Sequence, residues 1–369
     1  MRARTADIAV IGAGIAGAGV SAFLAEHAKV LLLEGEDRPG YHSTGRSAAI
    51  FIESYGNAAI RALNRASRDW FLNPPIEELD SSPFSRRDVL YICAPGEEAR
   101  LDALCADNPH LLALTAQETV AHVPILRAEA VMRGALETSS YDIDVASLHQ
   151  GWLSRLKHLG SDLVCQAPVT SLERAGGVWR IGSPQGLVEA PVVVNAAGAW
   201  ADEVAALAGL GPMGLTPCRR TAAILPAPAG HRIDGWPCFA TIEETWYAKP
   251  EAGKLLVSPA DQDPVPPHDV YVNDMVLAEG LDRYERAVTV PVTRVERSWA
   301  GLRTFAPDKT PVAGYDPRAE GFFWLAGQGG YGIQTAPALS LLASLLVRED
   351  AAAAGFETLP ELLSPARFL

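Results

Sequence analysis

The chain has 369 residues and a formal net charge of −13, from 31 basic and 44 acidic side chains. This length predicts two domains, each large enough to bury its own hydrophobic core. The acidic balance and the lack of a basic block argue against nucleic acid or an anionic membrane surface as a partner. No apolar stretch is long enough for an integral membrane segment, so we expect a cytoplasmic protein and leave peripheral membrane association open.

The five cysteines and eight histidines follow no pattern that is typical of a metal site. No two cysteines have the CxxC spacing, and no two histidines have the HxxxH spacing. We therefore expect reduced thiols, mostly in the core, and no metal.

Residues 7–34 have the pattern of one β-α-β unit, in which a glycine-rich turn joins an apolar strand to a helix of small residues. Gly12 would allow the tight turn, Gly14 the approach of a pyrophosphate, and Gly17 the close packing of helix on strand. Glu34 ends the second strand, where a carboxylate can accept hydrogen bonds from an adenosine ribose. Such turns also occur as purely structural features, but the strand, the helix and the acid together predict a dinucleotide site.

The loop that follows is rich in glycine and in small hydroxyl residues, and it cannot build a core. It carries Ser43, Thr44, Arg46, Ser47 and Tyr55 in quick succession. A plain surface connection is one interpretation. Because functional loops often follow parallel strands, we favour a segment that contacts the cofactor.

Between residues 57 and 214 the apolar spacing alternates between helical and strand periods. A valine-rich strand runs into a small-residue turn and a helix, as in the opening unit, which is typical of a parallel strand buried on both faces. The pattern predicts helices over residues 57–72, 97–107, 116–123, 145–159 and 201–207, strands over 87–93, 131–136 and 188–196, and two strands joined by a turn over 162–180.

From residue 215 onwards, strand patterns dominate and indicate a mainly antiparallel sheet in a separate, inserted domain. A proline-rich stretch at 261–268 suggests a lid-like loop, and 270–288 is largely helical in pattern. The predicted strands cover residues 219–226, 238–242, 245–249, 254–258 and 295–303. A second glycine-rich junction follows, with a strand at 321–326, a turn at 327–332 and a helix at 333–347. Such a junction can receive negative charge on an extended cofactor.

Several of these segments resemble the FAD-dependent oxidoreductases of the D-amino-acid oxidase (DAO) superfamily. They are the GxGxxG turn with Glu34, VVVNAAGAW, and the pair WAGLR and GQGGYGIQT. GYHSTGRSAA, DIDVASLHQGWL, RRTAAI, WYAKPEAG and LRTF are similar to the D-arginine dehydrogenases within that superfamily. The resemblance implies an α/β fold with a Rossmann-like FAD-binding domain of the glutathione-reductase type, from residues 1–56, 140–214 and 306–369. It also implies an inserted α+β substrate-binding domain on a mainly antiparallel sheet, from residues 57–139 and 215–305.

The resemblance implies FAD as the cofactor. No cysteine follows Cys238, so the C-terminal thioether link of some relatives is not possible and we expect noncovalent FAD. A helix N-terminus after the second glycine-rich turn would face the flavin edge that gains negative charge on reduction. The implied cofactor-binding residues are Gly12, Gly14, Ile15, Ala16, Gly17, Glu34, Ser43, Thr44, Arg46, Ser47, Ala48, Val169, Gly198, Trp200, Gly329, Gly330, Tyr331, Gly332 and Ile333.

The resemblance also implies oxidative deamination of a D-amino acid by hydride transfer from Cα to flavin N5. The imino acid would then hydrolyse to a 2-oxo acid and ammonia. Arg220 and Arg303 would clamp the substrate carboxylate, because a guanidinium fork matches a carboxylate in a bidentate manner. Tyr55 and Tyr247 would add phenol hydrogen bonds, and the Gly330 carbonyl would lie close to the amine. Arg219 is better interpreted as a solvated residue at a strand edge than as a substrate-binding residue.

For the substrate side chain, the resemblance places Ile50, Phe51 and Asp88 in the pocket. Asp88 would select arginine or lysine, whereas Ile50 and Phe51 would favour an apolar side chain. Alternatively, Asp88 forms a surface ion pair with Arg86 or Arg87, worth under about 1 kcal/mol.

Two other functions remain open from the sequence. An FAD-dependent 2-hydroxy-acid dehydrogenase could use the same carboxylate clamp, but it would need a base such as His, and no His is among the implied positions. A non-catalytic flavin subunit of a complex would not need the two arginines. The electron acceptor, a quinone or O2, is undetermined from the sequence.

Overall fold

The computed structural model describes residues 3–369 of the chain. Within this range the α-helices are α1 Ile15–Leu24, α2 Ala58–Leu72, α3 Glu98–Asp107, α4 Ala116–His122, α5 Val145–His158, α6 Ala201–Leu207, α7 Asp274–Ala287, α8 Ala336–Val347 and α9 Leu359–Leu363.

The strands in the same range are short and are distributed along the whole chain. They are β1 Arg4–Thr5, β2 Ile8–Ile11, β3 Val30–Leu33, β4 Ile50–Phe51, β5 Phe84–Arg86, β6 Val89–Cys93, β7 Leu112–Thr115, β8 Arg133–Glu137, β9 Tyr141–Ile143, β10 Asp162–Val164, β11 Ser171–Ala175, β12 Val178–Ser183, β13 Gly186–Ala190, β14 Val192–Asn195, β15 Thr216–Leu225, β16 Cys238–Thr241, β17 Tyr247–Glu251, β18 Lys254–Ser258, β19 Arg297–Phe305, β20 Val312–Tyr315 and β21 Phe322–Ala326.

A six-stranded sheet in the order β10-β3-β2-β14-β21-β20 carries the glycine-rich opening. All neighbouring pairs are parallel except β20 with β21. Its central strands are buried on both faces, because Ile8 and Val10 point to the side of α1, α5 and α8, while Ala9 and Ile11 point to the opposite side. The four-stranded sheet β1-β13-β12-β11 contributes to that second layer.

An eight-stranded, mainly antiparallel sheet in the order β19-β15-β18-β17-β16-β6-β8-β7 forms the other large part of the molecule. Strand alternation divides its side chains between two faces. Leu90, Phe239 and Ala248 belong to the apolar core in which Tyr284 of α7 is also buried. Their sequence neighbours Val89, Ala240 and Tyr247 line a large cavity on the opposite face.

A separate small sheet has the order β4-β9-β5, and its residue Ile50 lines the cavity. In this sheet Ile50 is directly opposite Asp142, and Phe51 is opposite Tyr141. The prediction of a mainly antiparallel second sheet is correct, but the sequence pattern did not indicate β4, β5, β7, β9 or β20.

Several predicted boundaries differ from the structure. Residues 188–196 form two strands rather than one, because Pro191 separates β13 from β14 and each joins a different sheet. The helix predicted over 270–288 begins later, at Asp274, where Asn273 caps α7. The last glycine-rich junction continues as turns to Thr335, so α8 begins at Ala336 rather than at Ile333. None of the helices in residues 3–369 combines the length and the apolar character needed to traverse a bilayer.

Candidate active site

One cavity of about 710 Å³ extends from the opening glycine-rich turn to the face of the eight-stranded sheet that carries Val89, Ala240 and Tyr247. Gly12, Gly14 and Glu34 line it at one end, and Arg220 and Arg303 line it at the other. This volume lies within the range of ligand and cofactor sites in proteins. The cavity therefore brings together the two glycine-rich junctions that are separated by about three hundred residues in sequence.

The opening turn has the conformation that only glycine tolerates well. Gly12 has φ +99°, and a methyl group there would lie 2.6 Å from the carbonyl oxygen of Ala196. A methyl group on Gly17 would collide with the carbonyl oxygen of Gly12. Gly12 and Gly14 line the cavity, whereas Gly17 does not, so Gly17 serves the packing of α1 on β2.

Glu34 faces the same end of the cavity with its carboxylate fixed by the backbone. Its Oε2 accepts a hydrogen bond from the amide of Ala13 at 2.8 Å, and its Oε1 accepts one from the amide of Glu36 at 3.0 Å. Each carboxylate oxygen keeps a free lone pair. The residue can therefore accept hydrogen bonds from a ribose without losing its anchors.

The loop after β3 closes over this end of the cavity. Thr44 accepts a hydrogen bond from the amide of Ile15 at 2.9 Å, and Ser43 donates one to the carbonyl of Leu302 at 2.6 Å. The guanidinium of Arg46 lies 2.5 Å from Asp269 and donates to the carbonyls of Val270 and Ala300. Arg46 thus lines the cavity while its charge is already paired.

Most residues that the resemblance implied for cofactor binding do line the cavity. Two do not: Gly17, as described, and Tyr331, whose ring packs against Tyr55 at 5.1 Å between centroids. Those that line it are Gly12, Gly14, Ile15, Ala16, Glu34, Ser43, Thr44, Arg46, Ser47, Ala48, Val169, Gly198, Trp200, Gly329, Gly330, Gly332 and Ile333.

Arg220 and Arg303 are on neighbouring antiparallel strands. Arg220 is paired with Gly301, two residues from Arg303, so both side chains lie on the cavity face. Arg220 donates from Nε to the carbonyl of Asp261 at 2.7 Å. Burial, together with the neighbouring charge of Arg303, lowers the pKa of Arg220. Among residues 3–369 neither guanidinium lies within ion-pair distance of a carboxylate. Glu244 also lines the cavity, 3.5 Å from the Tyr55 hydroxyl.

Arg219, by contrast, is paired with two acids. Its Nε lies 3.3 Å from Asp261, and its Nη2 lies 2.6 Å from Asp263. Arg219 is therefore held by a local ion-pair network and is not one of the cavity residues.

Tyr55 and Tyr247 lie beside the two arginines and line the cavity. Burial raises the pKa of Tyr55, against the opposing effects of Arg303 and Arg220, so its phenol remains a hydrogen-bond donor at neutral pH. The segment that carries Tyr55 is held by Asn64, whose amide donates to the carbonyls of Ile52, Glu53 and Tyr55.

The side-chain pocket differs from what the resemblance implied. Ile50 lines the cavity, but Phe51 is completely buried in the core against Phe71, Phe84 and Tyr141, because successive residues of β4 point in opposite directions. Asp88 does not line the cavity either. It lies 3.9 Å from Arg86 in a partly exposed ion pair, which agrees with the alternative interpretation of this residue.

Sequence reasoning missed several residues that line this part of the cavity. The alternation of strand side chains could have found one of them, because Lys249 is two residues from Tyr247 and the two share one face of β17. The missed cavity residues here include Ile52, Val89, Tyr91, Cys238, Ala240, Trp246 and Lys249.

These observations fit an extended dinucleotide with a small anion beyond it. Gly12 and Gly14 leave space against the backbone, Glu34 offers free lone pairs, and Arg220 and Arg303 offer a fork for a carboxylate. In residues 3–369 no three His, Cys, Asp or Glu side chains are grouped to hold a metal ion.

Comparisons with known proteins agree with this geometry. The family model described as "DAO: FAD dependent oxidoreductase" matches residues 7–345. Human mitochondrial dimethylglycine dehydrogenase is 30% identical over 232 residues, which cover 57% of this chain and 26% of that protein. The chain thus spans about a quarter of the length of this relative.

Two solved structures share the fold across nearly the whole chain. Glycine oxidase from Geobacillus kaustophilus superposes with a TM-score of 0.86 at 21% identity, covering 99% of this chain and 100% of the other. L-Proline dehydrogenase from P. horikoshii gives a TM-score of 0.84 at 20% identity, covering 100% and 98%. At these identities the likeness establishes the fold alone.

Proposed function

The chain belongs to the DAO family of FAD-dependent oxidoreductases, and we propose that it oxidises a D-amino acid with an uncharged side chain. The product would be an imino acid, which hydrolyses in water to a 2-oxo acid and ammonia. The observation that carries this proposal is the pair Arg220 and Arg303, which lines the cavity without a carboxylate partner in the described residues. Two such guanidinium groups require an anion, and an amino-acid carboxylate has the matching planar shape.

The side chains around this pair suit a positioned α-amino acid. Arg220 and Arg303 would hold the carboxylate, and the phenols of Tyr55 and Tyr247 would donate hydrogen bonds to it. The backbone carbonyl of Gly330, next to Arg303, would accept a hydrogen bond from the amine. When bound, FAD supplies the acceptor for the hydride that leaves Cα. The protein contributes mainly orientation, since it holds Cα in a fixed place relative to the cofactor.

The cavity lining favours an uncharged side chain over a cationic one. Ile50, Ile52 and Val89 provide apolar surface, and Asp88, the acid that would select arginine or lysine, lies outside. Glu244 also lines the cavity, but its carboxylate is 3.5 Å from the Tyr55 hydroxyl, which donates to it. The sequence left a cationic and an apolar substrate side chain open, and this lining supports the apolar one.

A 2-hydroxy acid is a weaker candidate, because its oxidation requires a base for the hydroxyl proton. Within residues 3–369, His42 is the one histidine that lines the cavity. It binds Glu36 at 2.8 Å and packs against Trp200, among the residues assigned to the cofactor. The names of glycine oxidase and L-proline dehydrogenase, two proteins of the same fold, also refer to amino acids.

Anaerobic reduction of the flavin tests the proposal directly. The holoenzyme is mixed with D-methionine, D-leucine, their L-enantiomers and 2-hydroxy-4-methylpentanoate, and the flavin absorbance is followed. We expect loss of absorbance with the D-amino acids and formation of the matching 2-oxo acid. Reduction by the hydroxy acid alone, or by the L-enantiomers alone, would disprove the assignment. Reoxidation of the reduced enzyme by O2 or by a quinone then identifies the type of acceptor.

A further inference from the structure

The chain after β18 forms a bulge where it runs along β15. In β18, Val257 is opposite Ala223, and continuation of this register would place Gln262 opposite Cys218. Pro264, two residues further on, takes that position instead. The segment between β18 and Pro264 therefore contains extra residues. Bulges of this kind often occur next to active sites, where they redirect a side chain.

Ala260 lies inside this bulge and lines the cavity. Its φ is +54°, in the left-handed region that a residue with a β-carbon rarely adopts. Its amide donates to Oγ of Ser258 at 3.1 Å, and that hydroxyl donates to the carbonyl of Thr221 at 2.6 Å. Such a conformation persists only where the surrounding structure fixes it, so specific contacts must hold the bulge in place.

The carboxylate of Asp261 makes further contacts of this kind. Its Oδ1 accepts a hydrogen bond from the amide of Thr221 at 2.6 Å, and its Oδ2 accepts one from the hydroxyl of the same residue at 2.9 Å. The Nε of Arg219 lies 3.3 Å from the same Oδ2. The side chain of Asp261 is only 3% exposed, so these contacts are shielded from water and supply the partners that a buried carboxylate needs.

The backbone carbonyl of Asp261 contacts the cavity side of β15. Because successive strand residues point to opposite faces, Arg220, which lines the cavity, is on the other face from Arg219 and Thr221. The carbonyl of Asp261 accepts a hydrogen bond from Nε of Arg220 at 2.7 Å. Asp261 therefore connects the two faces, since its side chain binds Arg219 and Thr221 while its main chain binds Arg220.

This hydrogen bond determines which nitrogens of Arg220 remain free. Within residues 3–369 it is the one hydrogen bond that the Arg220 side chain makes. Nε carries a single N–H, and the two terminal nitrogens of the guanidinium carry the others. The terminal nitrogens are therefore left for an anion in the cavity, and they can bind a planar carboxylate in a bidentate manner.

We infer that Asp261 is a positioning residue for the substrate: its carboxylate fixes the bulge on β15, and its carbonyl thereby orients the guanidinium of Arg220 toward the substrate carboxylate. This inference rests on the proposed function, because it assumes that Arg220 and Arg303 hold that carboxylate. The gain is preorganisation, since an arginine that is already oriented loses less side-chain freedom on binding. Arg219 also acquires a role, because it holds Asp261 from outside the cavity.

Binding of a simple carboxylate tests this without turnover. The Kd of pentanoate is measured from its effect on the flavin absorbance of the holoenzyme. In Asp261→Asn the ion pair with Arg219 is lost, and an amide nitrogen replaces one of the accepting oxygens. We expect the Kd to rise about tenfold, because Arg220 is no longer held in one orientation.

A double-mutant cycle with Arg220→Met distinguishes positioning from a general loss of structure. If Asp261 acts through Arg220, its replacement has no further effect once that guanidinium is absent. We therefore expect Asp261→Asn to change the Kd by less than about twofold in the Arg220→Met background. A merely structural role would give the same loss of affinity in both backgrounds.

Three further variants complete the test. Asp263→Asn removes the other, exposed acid that pairs with Arg219 and should bind pentanoate like wild type. Asp316→Asn replaces a completely buried carboxylate outside the cavity, so it should lower stability without changing the Kd. Arg219→Met removes the cation that pairs with Asp261 and should raise the Kd about threefold. Flavin content and circular dichroism verify that each variant is folded, and Arg219→Met decides the question if Asp261→Asn is not.

The outcomes separate this inference from the proposed function. An unchanged Kd in folded Asp261→Asn, or in Arg219→Met if Asp261→Asn does not fold, overturns the role of Asp261. An equal loss of affinity in the Arg220→Met background or in Asp316→Asn also overturns it. If wild type binds no pentanoate, the carboxylate clamp fails and the role of Asp261 fails with it. If the cycle gives the expected result while no D-amino acid reduces the flavin, the role of Asp261 stands and the proposed reaction is wrong.

Discussion

Gly330 is in contact with the guanidinium of Arg303: a methyl group on Gly330 would lie 2.9 Å from Nη1 and 3.2 Å from Cζ of Arg303. The second glycine-rich turn therefore leaves space for the arginine as well as for the cofactor. It is also anchored to the strand of Arg303, because the amide of Gly329 donates to the carbonyl of Thr304 at 2.8 Å. The relative position of turn and arginine is thus set by the backbone.

Replacement of Arg303 by Met should remove one side of the carboxylate clamp. Since a guanidinium can make two charge-assisted hydrogen bonds to a carboxylate, we expect the KM for a D-amino acid to rise about a hundredfold, or roughly 3 kcal/mol. Arg297→Met, at the exposed start of the same strand, is the control and should leave KM within about twofold. An Arg303→Met enzyme with unchanged apparent affinity would show that the clamp is assigned to the wrong residue.

Replacement of Asp88 by Asn should leave substrate preference unchanged. Asp88 lies outside the cavity in a partly exposed contact with Arg86, and such a pair contributes under about 1 kcal/mol to stability. The measurement is kcat/KM for D-arginine and D-methionine in the same preparation. A selective loss of D-arginine oxidation would mean that Asp88 reaches the substrate after all.

Phe51 and Ile50 are adjacent in sequence but should differ in effect when replaced by Ala. Phe51→Ala would leave a void among Phe71, Phe84 and Tyr141, and we expect it to lower the free energy of unfolding by about 3–5 kcal/mol. Its substrate preference should match wild type. Ile50→Ala should instead change the relative kcat/KM of D-leucine and D-methionine, with a smaller loss of stability, because Ile50 lines the cavity. Denaturant unfolding and steady-state kinetics separate the two effects.

His149 should make stability depend on pH on the acidic side. Its Nε2 lies 2.9 Å from the carbonyl of Ala13 in the glycine-rich turn, and burial lowers its pKa while this hydrogen bond opposes the shift. Below about pH 6.5 the unfolded chain binds a proton at this histidine more readily than the folded protein does. The free energy of unfolding therefore falls as the pH decreases below about 6.5, and His149 does not affect it at higher pH.

We therefore expect the Tm of wild type to decrease between about pH 7 and pH 5.5, and the decrease to be smaller in His149→Gln. Glutamine can still donate to the Ala13 carbonyl but does not titrate. His27→Gln, on the exposed surface, is the control and should follow wild type. Equal pH dependence of Tm in His149→Gln and wild type would exclude His149 as the group responsible.

Asp269 should contribute to retention of the cofactor. It pairs with Arg46, accepts a hydrogen bond from Tyr41 at 3.0 Å, and thereby connects the loop around residue 269 to the loop that covers the cavity. The hydrogen bond from Arg46 lowers the pKa of Asp269, so we expect its carboxylate to be charged at neutral pH. For Asp269→Asn we expect the Kd for FAD to rise about tenfold, or roughly 1.4 kcal/mol, as measured by flavin fluorescence during equilibrium dialysis. Asp282→Asn, in an exposed pair on α7, should retain FAD like wild type.

Local patterns in the sequence were sufficient for much of this protein. The glycine-rich turn, Glu34 and the buried strands around them predicted a dinucleotide fold, and the family and its FAD cofactor are now confirmed. Several elements, such as the helix Ala201–Leu207 and the strand Lys254–Ser258, have the predicted bounds. These features depend on residues that are close together in the chain, so their spacing is enough to identify them.

The side-chain pocket depended on the tertiary structure instead. The register of β4 decides that Ile50 faces the cavity and Phe51 the core. This register is set by the pairing of Ile50 with Asp142, which is distant in sequence. The ion pair of Lys249 with Asp142 joins residues on two different sheets, and no local pattern encodes it. The sequence by itself thus determined the cofactor and the class of chemistry. Only the packing of one sheet against another decided which charged side chains line the cavity.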